Sequence, residues 1–123
     1  MSLYESGQMY LETIYMLSKQ SNFVRAIDVG EHMGYSKPSV SRAMSTLKKN
    51  GYITVEDDGG LKLTETGLEV ARTMYERHTV LTKLLMLLGV DEKTATEDAC
   101  RMEHVISEKS FEAMKAHMDK DGQ

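Results

Sequence analysis

Three side chains with ligand chemistry fall within five residues near the end of this 123-residue chain: Cys100, Glu103 and His104. Their spacing is i, i+3, i+4. On an α-helix each residue turns about 100°, so a thiol, a carboxylate and an imidazole would share one face. That mixture of donors suits a divalent transition metal. The same residues also fit a plainer account: a lone Cys is often a small buried hydrophobe, with Glu103 and His104 as ordinary helix surface. Further donors must decide. Met9 and Glu12 stand at i, i+3 on a predicted first helix, and His78 lies in the middle of a predicted fourth. Each has an ordinary reading too: Met9 as core filler, Glu12 as a solvated carboxylate, His78 as a surface imidazole. Periodicity alone does not bring them together.

The composition bounds what could carry such a cluster. A chain of this length forms one domain or two small ones. With 41% hydrophobic residues, 28% charged, nine Gly and one Pro, it reads as globular and mainly helical. No apolar run approaches the ~20 residues of a membrane span. The start, Met1-Ser2-Leu3-Tyr4-Glu5, lacks the regions of a signal peptide, and one Cys fits a reducing compartment, so the expected location is the cytoplasm. The net charge of −4 is unevenly spread: residues 1–50 carry six Lys/Arg against four Asp/Glu, whereas residues 51–123 carry nine against fifteen. Residues 36–50 hold Lys37, Arg42, Lys48 and Lys49 with no acid, a basic segment inside an acidic protein.

Apolar residues Met9, Tyr10, Ile14 and Leu17 recur at helical spacing over residues 5–19. Residues 26–33 predict a short second helix that Gly34 terminates. Ser36 caps a third, with Pro38 in its first turn, running to about Asn50. Its stripe Val40, Met44 and Leu47 leaves Lys37, Ser39, Ser41, Arg42, Ser45 and Lys49 outward. Two short helices joined by a Gly-containing turn, the second basic and Ser-rich, match a helix-turn-helix. Residues 52–56 and 61–64 around Asp57-Asp58-Gly59-Gly60 predict a hairpin, the wing of a winged helix. Asp57 and Asp58 would repel phosphates, so the tip is expected to stay off DNA.

Thr64 caps a long fourth helix to about Leu88, apolar nearly all round from Leu84 onward. Such a helix is buried on two sides, which points to a homodimer interface through the fourth to sixth helices. Gly89 ends it. Asp91 begins a loop or helical turn through Thr96, after which the helix carrying Cys100, Glu103 and His104 runs to Ile106. Ser107 starts a final helix to about Met118, with residues 119–123 frayed. The expected fold is mainly α: a winged helix-turn-helix DNA-binding domain (1–64) followed by a helical dimerisation and metal-binding domain (65–123).

Five pieces of the sequence carry a resemblance: Met9-Tyr10-Leu11-Glu12-Thr13-Ile14-Tyr15, Ser36-Lys37-Pro38-Ser39-Val40-Ser41, Leu63-Thr64-Glu65-Thr66-Gly67, Arg77-His78, and Asp98-Ala99-Cys100-Arg101-Met102-Glu103-His104-Val105. In this order and spacing, from residue 4 to about 118, the chain resembles the diphtheria toxin repressor family of metal-dependent transcriptional repressors. The resemblance implies that Met9, Cys100, Glu103 and His104 match the activating site of the iron-type members. Of the iron-type ancillary site only His78 remains, since Thr82 and Thr96 stand at the other two places. Manganese-type members have acids where this chain has Met9 and Cys100, and share Glu12, His78, Glu103 and His104 with it. The resemblance therefore implies a hybrid, with an iron-type primary site and a second site drawing on Glu12 and His78. The chain ends where longer members continue into an SH3-like third domain, so the resemblance implies a short form, either natural or truncated.

The function so implied is a repressor that binds palindromic double-stranded operator DNA as a homodimer when loaded with metal, controlling metal homeostasis genes. Fe²⁺ is the expected ion because thioether and thiolate disfavour Mn²⁺, the alternative; Co²⁺, Ni²⁺ and Zn²⁺ should substitute in vitro. Metal would fix the two recognition helices about one DNA turn, ~34 Å, apart. Ser36, Lys37, Pro38, Ser39, Ser41 and Arg42 are the residues expected to meet bases and nearby phosphates. Arg42 is the candidate guanine reader. Arg25, Lys48, Lys49 and Lys62 would meet phosphates or simply solvate the surface. The chain lacks His-Glu-x-x-His, and a Met ligand suits a sensor, so no enzyme activity is expected. The competing readings are a metal-independent winged-helix regulator and a dimerisation module, each with a structural Cys/Glu/His cluster.

Overall fold

The computed structural model describes residues 5–121, which divide into two compact units, the first ending at Arg72 and the second starting at Thr73. The first unit contains α1 (Glu5–Gln20), α2 (Ala26–Met33), α3 (Lys37–Lys49), β1 (Ile53–Val55), β2 (Leu61–Leu63) and the opening turns of α4 (Glu65–Leu87). The second contains the rest of α4, then α5 (Glu92–Met102) and α6 (Glu108–Asp121). The chain is thus mainly helical with a two-stranded wing. No helix among the described residues is long and apolar enough to cross a membrane.

Local chemistry sets the boundaries in the first unit. The Arg25 backbone N–H donates to Asp28 Oδ2 at 2.9 Å, closing the first turn of α2. Gly34 ends α2 in the left-handed region at φ 74°, where its N–H reaches Gly30 O at 2.8 Å. Ser36 then caps α3, its hydroxyl accepting from Ser39 N. The predicted stripe Val40, Met44 and Leu47 is buried and joins Leu11, Ile14, Val24, Val29, Ile53, Leu61 and Ala71 in one core. The wing pairs Ile53 with Leu63 and Val55 with Leu61, and Leu61 N donates to Val24 O, fastening β2 to the α1–α2 connection. At its tip, Asp58 Oδ1 accepts from Gly60 N at 3.0 Å, so this acid shapes the turn. Thr64 joins wing to helix: its hydroxyl donates to Gly51 O at 2.7 Å and accepts from Gly67 N at 3.1 Å.

In the second unit Met74, Leu81, Ala95, Ala99 and Phe111 are buried. Lys115 Nζ bridges α6 to Glu76 of α4 at 2.7 Å. The end of α4 presents Met86, Leu87 and Leu88 outward, and Leu88 is 72% exposed, as is Val105.

Three sequence-based boundaries differ in the structure: both ends of α5 and the end of α6. The segment after Asp91 is already helix: α5 begins at Glu92, because Asp91 Oδ2 accepts from Thr94 N and caps it. That helix stops at Met102 instead of Ile106. Beyond it the amides of Val105 and Ile106 both bond back to Met102 O, making a turn. The third difference concerns the last residues. Ser107 does cap the last helix, accepting from Ser110 N, but α6 continues to Asp121, so residues 119–121 are helical rather than frayed. Gly122, Gln123 and residues 1–4 lie outside the described residues.

Candidate metal centre and nucleic-acid interface

Within the second unit, the donors gather around Glu103. Its side chain is fully buried, and each carboxylate oxygen faces an imidazole: Oε2 lies 3.4 Å from His78 Nδ1, and Oε1 lies 3.3 Å from His104 Nε2. The α5 boundary explains how neighbours in sequence can meet. Adjacent residues on a regular helix point about 100° apart and do not face one another. Glu103 is the C-cap, still bonded through its amide to Ala99 O, while His104 lies in the turn beyond. The expected shared helix face of Cys100, Glu103 and His104 therefore gives way to a helix end that folds His104 against Glu103.

A buried carboxylate between two imidazoles is costly as a purely apolar-core feature, and His78 Nδ1, although buried, makes no hydrogen bond. A carboxylate offering one oxygen toward each imidazole suits one ion or a bridged pair, so the residues present fit a metal.

The other candidates are placed as follows. Cys100 is half-buried on α5. Met9 is half-buried on α1. Glu12, which local pattern suggested is solvated, is only 7% exposed. Thr82 Oγ1 donates to His78 O at 2.7 Å and Thr96 is exposed, so these two positions offer no replacement for the missing ancillary ligands. Arg77, beside His78, donates from Nη1 to Glu103 O and to Ile106 O. Sequence reasoning gave it no role. Its place next to a candidate ligand was the available signal.

In the first unit, Lys37, Pro38, Ser41, Arg42 and Lys48 are exposed along α3, Arg25 precedes α2 and Lys62 lies exposed on β2. Arg25, Lys37, Ser41, Lys48 and Val55 border a groove of about 940 Å³ between α2, α3 and the wing. Ser36 and Ser39 are half spent on structure, since Ser36 Oγ donates to Ser39 Oγ at 2.9 Å. The Arg25 guanidinium lies over the Phe23 ring. Tyr10 packs edge-on against Tyr35 with ring centres 5.9 Å apart. Burial, then Tyr35, raise its phenol above the ordinary value, with Arg42 opposing.

Comparisons with known proteins bear on both halves. Residues 2–61 match the family "Iron dependent repressor, N-terminal DNA binding domain", and residues 64–121 match "Iron dependent repressor, metal binding and dimerisation domain". An HTH-type transcriptional regulator of Methanocaldococcus jannaschii is 34% identical over 118 residues, covering 94% of each chain. The diphtheria toxin repressor of Corynebacterium diphtheriae is 31% identical over 107 residues, 86% of this chain and 47% of that protein. Among solved structures, the manganese regulator SloR superimposes with a TM-score of 0.82 at 25% identity, over 97% of this chain and 55% of that one. The chain thus spans about half the length of the latter two and nearly all of the first.

Proposed function

We propose, since the chain belongs to the iron dependent repressor family, that it is a transcriptional repressor whose affinity for operator DNA is switched by a divalent metal held around Glu103. The observation that carries this reading is the buried Glu103 carboxylate with His78 Nδ1 and His104 Nε2 on its two oxygens. Glu103, His104 and His78 are the proposed ligands from the second unit, with Cys100 on the same segment. Met9 and Glu12 are assigned to the site by the resemblance of their motif. When bound, the ion supplies positive charge that offsets the buried carboxylate and ties its donors to one another.

Met9 and Cys100 favour Fe²⁺, with Mn²⁺ its competitor and Co²⁺, Ni²⁺ or Zn²⁺ as substitutes in vitro. Ligands contributed from both sequence halves would couple metal occupancy to the arrangement of the recognition helices, a shift of population toward the DNA-binding form. The α3 residues Lys37, Ser41 and Arg42, with Pro38 and the capping Ser36 and Ser39, are proposed to enter the major groove of a palindromic operator. Arg25, Lys48 and Lys62 would meet phosphates. We further propose a homodimer formed through α4–α6, centred on Leu87, Leu88 and Val105, acting in the cytoplasm and without enzymatic activity.

The test is fluorescence anisotropy of a palindromic operator titrated with the full chain, with Fe²⁺ or Mn²⁺ under anaerobic conditions and again with chelator. Metal-dependent binding abolished by chelator is the expected result. Equal affinity with and without chelator would overturn it in favour of a metal-independent regulator. Absence of any DNA binding at low salt would leave only a dimerisation module.

A further inference from the structure

Arg77 on α4 makes two hydrogen bonds to distant main chain. One Nη1 donates to the carbonyl oxygens of both Glu103, at 3.0 Å, and Ile106, at 2.9 Å. Its guanidinium carbon stands 5.4 Å from the ring centre of Phe111, which is buried on α6. These contacts bracket the whole connection between α5 and α6, the segment that carries Glu103 and His104.

That connection has need of such a partner. With α5 ending at Met102, the carbonyls that follow have lost the helix ladder and must be satisfied otherwise. A guanidinium suits the task because it presents several donors in a fixed plane. The neighbouring side chain, His78, approaches the Glu103 carboxylate. Two consecutive residues of α4 therefore address Glu103 at both ends, Arg77 at its carbonyl and His78 at its carboxylate.

We propose that Arg77 is a positioning residue for the metal centre: it holds the 103–106 turn so that Glu103 and His104 present their donor atoms before an ion arrives. This rests on the metal-site reading above. Residues that orient ligands without touching the metal commonly set affinity through preorganisation.

The test uses the full metal-free chain and the variants Arg77→Met and Arg77→Lys. Mn²⁺ alone is the probe, its free fraction read by electron paramagnetic resonance. Circular dichroism establishes folding, and amide hydrogen exchange of the metal-free proteins reports on residues 103–107. The expected result is a Kd for Mn²⁺ raised about 10- to 100-fold in both variants, with faster exchange confined to that turn. Folded variants that bind Mn²⁺ within about twofold of the parent would overturn the proposal, even if they melt earlier, since that is what a merely structural Arg77 would do. Should Arg77→Met not fold, Arg77→Lys decides, because it keeps the charge and stem but loses the planar donors. A parent chain that takes up no Mn²⁺ would overturn the metal-site reading itself, and this proposal with it. A parent that binds beside indifferent variants removes only the role of Arg77.

Discussion

His78 Nδ1 lies 3.4 Å from Oε2 of Glu103, and the Glu103 side chain has no exposed surface. Replacing Glu103 by Gln keeps the shape and removes the charge that a cation requires. The expected consequence is loss of more than about 100-fold in Mn²⁺ affinity, beyond what outer-shell changes cost. A ligand present at 100 times its Kd stabilises a folded chain by about 2.7 kcal/mol. The parent should therefore melt higher when Mn²⁺ is added and Glu103→Gln should not. A metal-induced rise of equal size in both would remove Glu103 from the site.

Cys100 tests the identity of the ion separately. A thiolate ligand gives Co²⁺ a sulfur-to-metal charge-transfer absorption, and it must be deprotonated to bind, so affinity should weaken as pH falls. We expect this band in the parent and its loss in Cys100→Ala, with Co²⁺ and Fe²⁺ weakened more than Mn²⁺. A parent complex without the band would exclude the thiolate as a ligand and turn the preference toward Mn²⁺.

What was legible in the sequence was mostly local. Ser36 and Thr64 announce their boundaries because an N-cap needs only a side chain and an amide three residues away, and Gly34 because a left-handed helix end favours glycine. The stripe Val40, Met44 and Leu47 reads directly as a buried face. The end of α5 did not, because residues 101–107 contain neither Gly nor Pro, and what receives the released carbonyls is Arg77, 26 residues earlier. Long-range hydrogen bonds leave no periodic trace. The segment 92–96 left a loop or a helical turn open, and the Asp91 cap decides for helix. The burial of Glu12 was unreadable for the same reason, since a carboxylate amid apolar residues on α1 looks like surface until its surroundings are known.

On the DNA side, Arg42 and Lys48 should behave differently although both are exposed on α3. If Arg42 reads a guanine, Arg42→Ala costs about 1–3 kcal/mol, roughly a 5- to 150-fold rise in operator Kd, and relaxes preference at one base pair. Lys48→Ala should weaken all sequences alike and lower the slope of log K against log salt by about 1. Anisotropy against operator and scrambled duplexes at several salt concentrations separates the two. A uniform loss from Arg42→Ala would reassign it to phosphate.

Asp91 offers a test of the α5 cap through pH. Its carboxyl is held below the ordinary 3.8 by the Thr94 amide first and the Thr94 side chain second. A group whose pKa is lowered on folding adds stability above its unfolded value and loses that contribution as pH falls through the folded one. Asp91→Ala should therefore melt below the parent at about pH 7, and the gap should narrow below about pH 4 as the cap protonates. A gap that stays constant down to about pH 3 would show that the carboxylate charge contributes nothing.

Gly67 tests how the wing is anchored to α4. A Cβ there would stand 2.0 Å from Tyr52 O and 3.0 Å from its carbonyl carbon, a collision with backbone. Tyr52 cannot easily yield: its N–H donates to Leu47 O at 2.9 Å and its carbonyl accepts from Thr64 N at 3.0 Å. In an exposed helix interior Gly→Ala would stabilise by about 1 kcal/mol. Here the sign should reverse, with Gly67→Ala losing at least about 3 kcal/mol in denaturant unfolding. Thr66→Ala, exposed on the same turn, should change stability by less than about 0.5 kcal/mol. Because Thr64 bonds both to Gly51 O and to Gly67 N, displacing this turn also loosens the base of the wing. Any Gly67→Ala protein that still folds should therefore bind operator more weakly while keeping its Mn²⁺ affinity, since none of its proposed ligands has moved. Unchanged stability in Gly67→Ala would mean that α4 does not approach Tyr52 this closely.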